Sequence, residues 1–338
     1  MIPQGRHKAG ALRAAAPLRE APRAHPAAEA IAINLAAAIL GVRGTEPVVA
    51  ALPAGNEDTL PCGPFHPTEH GTLERGARAW VRSLGGIDIG NLQQLHAESD
   101  VLPEHDAASP HPVTVSYVAL ADPSQCNDRT RAIWRSWYAY FPWEDWRNGR
   151  PPCLSHIMLR LQAWATEPAR PYLSGVKDRE RRVRIAFGES AGWDEEKVFE
   201  RYQLLQEAGF LGSGASSHAD NGGPRPAQVL CANHASILAR AIGDLRRTVK
   251  FKPVVFELMQ EAFTLFELLR VVEAILGTHL HKQNFRRLIE SCKLVEPVGE
   301  VRLRTGGRPA RLYRFRPDVV LERASPGVRL KPGAPNAA

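Results

Sequence analysis

The sequence predicts an α/β domain, a helical connector and a C-terminal pair of helices followed by an arginine-bearing hairpin. Three observations carry this reading. An apolar run at residues 30–42 opens a series of strand-like and helix-like segments. Positive charge is concentrated in one C-terminal stretch, and within that stretch the apolar periodicity passes from helical to strand-like. With 338 residues, 44% hydrophobic and 23% charged, the chain suits about two domains and is neither collagen-like nor wholly disordered.

The first 29 residues are rich in Ala, Pro and Arg without apolar periodicity, and read as a disordered arm. The run at 30–42 follows basic residues, as a signal peptide would. Its basic stretch is too long, Asn34 interrupts it and no small-residue cleavage motif follows. It is also too short to span a membrane. A buried strand is the better reading, with a second at 48–52 after the turn-like Gly44-Thr45-Glu46-Pro47. Residues 63–65 come next, then a helix at 72–84 that stops at Gly85-Gly86. Further strands are expected at 91–96 and 113–120, with a loop at 101–112 between them.

Trp134, Trp137, Tyr138, Tyr140, Phe141, Trp143 and Trp146 form an aromatic block that reads as core. Helices are expected at 155–165 and 194–208. The second has Asp194 as N-cap, Glu195 and Glu196 in its first turn and Gly209 as terminator. Residues 213–226 are a Gly/Ser/Pro-rich loop. Five cysteines (Cys62, Cys126, Cys153, Cys231, Cys292) stand far apart with no C-x-x-C pair. That indicates neither a disulfide framework nor a zinc ribbon and suits the cytoplasm.

The formal charge is +7. Residues 246–317 hold fifteen Lys and Arg against seven Glu, a balance of +8, so the rest of the chain sums to −1. Such concentration suits a polyanion, and nucleic acid is the commonest. Within it, Thr264-Leu-Phe-Glu267 is a capping box, and Leu265, Leu268, Leu269, Val272 and Leu276 repeat at helical spacing up to Gly277. After a turn at 278–281 a second helix begins near Lys282, with Phe285, Leu288, Ile289 and Cys292 as its apolar stripe. Its other face carries Gln283, Arg286, Arg287 and Glu290, with Lys282 and Asn284 leading. This suits a helix-turn-helix whose second helix meets base edges. Strand-like pieces at 298–303 and 310–315 follow, and Arg302, Arg304, Arg308 and Arg311 at their tip give a wing that suits phosphates or a minor groove. The candidate DNA contacts are Lys250, Lys252, Thr264, Lys282, Gln283, Asn284, Arg286, Arg287, Arg302, Arg304, Arg308 and Arg311. His279 and His281, beside Leu280 in the turn, suit DNA or solvent better than a metal.

Two blocks resemble a known family. Phe251-Lys-Pro-Val-Val-Phe-Glu-Leu, Phe263-Thr-Leu-Phe-Glu-Leu-Leu-Arg, Lys282-Gln-Asn-Phe-Arg-Arg-Leu and Gly306-Gly-Arg-Pro-Ala-Arg-Leu-Tyr-Arg-Phe resemble the winged helix of the Nudix-related (NrtR-type) regulators of NAD metabolism. Leu60-Pro-Cys-Gly-Pro-Phe, Gly76-Ala-Arg-Ala-Trp-Val, Asn91-Leu-Gln-Gln-Leu and Val115-Ser-Tyr-Val-Ala-Leu resemble their Nudix-like effector domain, and Phe141-Pro-Trp-Glu-Asp-Trp-Arg a variant of alphaproteobacteria. The resemblance implies a mixed-sheet α/β effector domain, a winged helix, an effector such as ADP-ribose, targets among NAD biosynthesis or salvage genes, and a homodimer.

One departure matters. A catalytic Nudix box reads G-x5-E-x7-R-E-U-x-E-E-x-G-U, its glutamates holding metals that activate water. With its end on Gly86-Ile87, Trp80 takes the first helical Glu position and Ser83 and Leu84 the Glu-Glu pair. With its start on Gly63, Glu69 is present but Ala77, Arg78, Val81 and Arg82 fill the remaining positions. Neither register leaves a carboxylate triad, and Glu69 and Glu74 read as surface residues. No catalytic residue, metal or cofactor is therefore expected. The expectation is a ligand-responsive regulator with an arm at 1–29, an effector domain at 30–165, a connector at 166–243, a winged helix at 244–317 and a tail at 318–338. It would bind duplex operator DNA and a nucleotide and no membrane. The rival is a Nudix hydrolase of nucleotide diphosphates whose basic C-terminal domain holds substrate, and a third class is an architectural or RNA-binding protein without operator specificity.

Overall fold

The computed structural model describes residues 31–99, 111–125, 131–167, 176–188, 192–211, 228–302 and 310–322. The arm at 1–29, the loop at 213–226, Arg304, Arg308 and most of the tail lie outside them.

The apolar run is β1 (Ile31–Arg43), and a turn at Gly44-Thr45 leads into β2 (Glu46–Ala54). The short strands β3 (Glu57–Thr59) and β4 (Cys62–Pro64) follow, then α1 (Pro67–His70) and α2 (Leu73–Trp80), which continues as one wider π turn to Gly85. Thr72 caps α2, its hydroxyl accepting from the Arg75 amide at 3.2 Å. β5 (Leu92–Ser99), β6 (His111–Leu120) and β7 (Ile133–Ser136) complete a seven-stranded sheet. Its backbone order is β3-β2-β1-β6-β5, with β4 on β1 and β7 on β2. β1 and β6 run parallel and the other pairs antiparallel, so the sheet is mixed. β6 takes in His111 and Pro112, placed in a loop by the sequence reading, because Ile31 and Ala32 extend the parallel ladder to them.

β1 is buried on both faces, which is why it reads as a continuous apolar run. Leu35, Ala37 and Ile39 pack on one side with Ala77 and Val81 of the α2 segment. Gly76 permits that approach, since a Cβ there would lie 2.6 Å from Leu35 Cδ1. Ala36, Ala38 and Leu40 face the opposite side, where the helices of the connector gather.

These are α3 (Cys153–Thr166), α4 (Val176–Ala186), α5 (Val198–Glu207) and α6 (Ala232–Phe251). α5 starts four residues later than expected. Asp194 does not cap it. Its carboxylate accepts from the Glu196 amide at 3.0 Å, and its carbonyl accepts from the Lys197 amide and from Arg201, closing a separate turn. α6 has no capping side chain to announce it, and it runs through residues 243 and 244, where the sequence reading divides connector from winged helix. A 3-10 turn (Val254–Leu258) leads from it to β8 (Phe263–Thr264), α7 (Leu265–Leu276), α8 (Lys282–Cys292), β9 (Val295–Arg302), β10 (Ala310–Phe315) and α9 (Val319–Glu322). β8, β10 and β9 form a second, three-stranded sheet. One core cluster runs from Leu40 and Trp137 through α5 and α6 to Phe285 and Tyr313, so the two sheets share a single interior. Among the described residues no helix is long and apolar enough to cross a membrane.

Candidate nucleic-acid interface and effector domain

The capping box predicted for α7 is complete. Thr264 Oγ1 accepts from the Glu267 amide at 3.1 Å and Glu267 Oε2 accepts from the Thr264 amide at 2.8 Å. Gly277, at φ +72°, ends the helix in the left-handed region. Glu273 is buried beneath the turn, accepting from the Leu280 amide at 2.9 Å, from Arg270 at 3.0 Å and facing His279 Nδ1 at 3.3 Å. α8 then buries Phe285, Ile289 and Cys292 and leaves Lys282, Gln283, Asn284, Arg286 and Arg287 exposed on one side. Short local contacts hold these side chains without covering them. Arg287 Nη2 donates to Asn284 Oδ1 at 2.9 Å, Arg286 Nε to Glu290 at 3.0 Å, and Lys282 Nζ stands 5.3 Å over the Phe266 ring. β9 and β10 pair beside α8, which completes a winged helix.

Two expected contacts, and one residue of the basic balance, have partners inside the protein. Thr264 is largely buried, and its hydroxyl oxygen accepts from the Glu267 amide in the cap. Lys250 bonds Glu195 and, at 2.6 Å, Glu196; burial favours its neutral form, but these carboxylates outweigh that and raise its pKa. Arg246, counted in the basic balance, is wholly buried. The excess charge of 246–317 is therefore partly spent inside the protein. Lys252 is exposed at the end of α6, and Arg311 is exposed over the Tyr313 ring at 5.8 Å. Arg302 ends β9, while Arg304 and Arg308 lie outside the described residues.

In the mixed-sheet domain α2 and the π turn after it are held by packing and local pairing. Trp80 Nε1 donates to the Pro64 carbonyl at 3.0 Å and its ring lies on Gly63, where a Cβ would come within 2.2 Å of it. Gly63→Ala is therefore expected to destabilise the domain by about 1–3 kcal/mol through overpacking, measured as a lowered urea midpoint. Glu74 pairs with Arg78 at 3.0 Å, and Arg78 ties the helix to the carbonyls of Ile89 and Gly90. Glu69 is exposed, Val81 is buried, Arg82 pairs with Asp88 at 3.0 Å and Ser83 donates to the Trp80 carbonyl. Among the described residues no group of three or more His, Cys, Asp or Glu is arranged to hold a metal.

Sequence reasoning missed the polar centre of the molecule. Glu144, from the aromatic block, is fully buried and accepts from Arg201 at 2.6 and 2.8 Å and from Arg246 at 2.8 Å. Burial alone would raise the Glu144 pKa, but the two guanidinium groups hold its carboxyl below the usual range. Arg246 also donates to the carbonyls of Ile275 and Glu195 and to Tyr138 Oη. The signal was a lone glutamate among aromatic residues, with nothing local to name its partners 57 and 102 positions away.

The family model for the NrtR DNA-binding winged helix domain matches residues 255–315. Among solved structures, the chain is similar to Shewanella oneidensis NrtR complexed with a 27mer DNA, at 18% identity over 86% of this chain and 95% of that one, with a TM-score of 0.50. A MutT/nudix family protein from Enterococcus faecalis aligns at 15% identity over 86% and 89%, with a TM-score of 0.48. The NUDIX domain of Shewanella oneidensis NrtR complexed with ADP ribose aligns at 16% identity over 42% and 89%, with a TM-score of 0.28. No curated protein matches the chain. The family match falls on α7, α8 and the wing, and the shared fold extends to the mixed sheet before them. The chain thus shares the fold of Shewanella oneidensis NrtR, a mixed-sheet domain joined through helices to a C-terminal segment that matches the NrtR DNA-binding winged helix domain.

Proposed function

We propose that the protein is a cytoplasmic transcriptional regulator that binds duplex operator DNA through α8 and the wing, and that the Nudix-like domain senses a nucleotide without hydrolysing it. The observation that carries the reading is the winged helix itself, its second helix presenting Lys282, Gln283, Asn284, Arg286 and Arg287 away from the core. By the resemblance of the upstream motifs the effector is an NAD-related metabolite such as ADP-ribose, and the controlled genes serve NAD biosynthesis or salvage. By the same resemblance it would act as a homodimer, since one winged helix buries little surface while two on a palindrome gain affinity by linkage.

The helix that would carry the metal-binding glutamates offers Trp80, Val81, Arg82, Ser83 and Leu84. A hard divalent cation wants several oxygen ligands, so no hydrolysis is expected. Incubating the pure protein with ADP-ribose and magnesium or manganese tests this, with binding followed by calorimetry. Binding without turnover is the expected result. Turnover of about 1 per second or more, an ordinary enzyme rate, would reinstate the hydrolase reading.

A further inference from the structure

We infer that Tyr138, Glu144 and the Trp146 amide are positioning groups for DNA recognition, fixing the last turn of α7 to the Nudix-like domain and so setting the angle at which α8 is presented. The last carbonyls of a helix have no partner within it and are ordinarily left to water or to a cap. Here two of them, at Ala274 and Ile275, and the carbonyl of the cap residue Gly277 are taken from outside. Tyr138 Oη donates to the Ala274 carbonyl at 2.8 Å, Arg246 Nε to Ile275 at 2.9 Å, and the Trp146 amide to Gly277 at 2.7 Å.

Two of these donors belong to the segment that leaves β7 of the large sheet, and the third to α6. Glu144 ties them together, pairing with Arg246 on α6 and Arg201 on α5 from the same segment as Tyr138 and Trp146. Gly277 closes the junction. A Cβ there would lie 2.5 Å from the Glu144 carbonyl oxygen, 2.7 Å from Tyr138 Oη and 2.8 Å from Arg246 Nη2. α8 begins at Lys282, five positions beyond, after a turn pinned by Glu273. A displacement of the 138–146 segment must therefore carry α8 with it or break these bonds. The inference rests on the DNA-binding role of α8 and extends it to a route by which the Nudix-like domain acts on DNA.

The test uses the full chain with nitroxide labels placed as noncanonical residues at exposed Arg75 on α2 and Ser291 on α8, diluted with unlabelled protein. The wild type should give one narrow distance distribution. Tyr138→Phe, which removes one oxygen and keeps the ring, should broaden or split it, and Gly277→Ala should shift it. Both variants should enrich the same bases as the wild type from a randomised duplex pool, while binding the enriched duplex about tenfold more weakly, equivalent to about 1.4 kcal/mol. A merely destabilised protein would keep the distance. Unchanged distributions in a folded Tyr138→Phe protein would overturn the inference, whatever Gly277→Ala does. If the wild type enriches no duplex, the DNA-binding reading falls, while the distance result still decides the positioning role.

Discussion

Replacing Glu144 by alanine is expected to remove a large share of the protein's stability and to lower its urea midpoint steeply. The substitution would leave Arg201 and Arg246 charged, wholly buried and without their counter-ion. Removing one partner of a buried ion pair costs about 3–5 kcal/mol, and this carboxylate serves two pairs. The total stability of a native protein is about 5–15 kcal/mol, so one substitution takes a large share of it. Urea denaturation followed by tryptophan fluorescence measures the loss directly, and a midpoint within error of wild type would contradict it. The pH dependence follows the same carboxylate. Its folded pKa is depressed, so the stability it contributes is fully present above the unfolded value, near 4.3. That contribution is lost as the pH falls through the folded value below it. The loss should therefore set in once the pH drops below the unfolded value and be complete only below the depressed folded one, with neutral pH leaving this contribution untouched.

The second large effect concerns DNA. Asn284→Ala or Arg286→Ala should weaken operator binding far more than binding to random duplex, because an amide reading adenine or a guanidinium reading guanine contributes about 1–3 kcal/mol of discrimination. Arg304→Ala or Arg308→Ala should weaken both duplexes evenly and flatten the log–log salt slope by about one. The slope is best measured on the full chain. A fragment starting at Arg246 would begin in the middle of α6 and strip that arginine of Glu144. With Arg246 and Lys250 engaged internally, about five phosphate contacts remain a reasonable count, for a slope near −4.5. Equal losses on both duplexes from all four substitutions would show that α8 is not the reading element.

What was legible in the sequence was what local rules govern. β1 announced itself because both its faces are buried, α7 because Thr264 and Glu267 cap it reciprocally, and α8 because its apolar stripe and polar face separate cleanly. α6 was hidden because its first turn has no capping side chain and its sequence continues across what composition marks as a boundary. Charge counting failed at Arg246 and Lys250 for a related reason. Their partners, Glu144, Glu195 and Glu196, lie 51 to 102 positions earlier, where no spacing rule reaches. The wing was read from Arg-rich and Gly-rich composition, yet its start moved back to Val295, because β10 pairs down to Phe315 against it.

The parallel pairing of β1 with β6 has a consequence for how the chain is made. Ile31 waits for His111 and Leu40 for Leu120, a separation of eighty residues. At ribosomal speeds of about 5–20 residues per second, the apolar β1 emerges roughly 4–16 s before its central partner. Hairpin closure with β2 takes only microseconds, but it pairs only Leu40 to Arg43 of one edge and leaves the other edge, with its unpaired amides and carbonyls, open to neighbouring chains. The nascent protein thus passes through an interval in which its most buried strand is its stickiest surface, and slowing translation beyond β2 should send more of it into inclusion bodies.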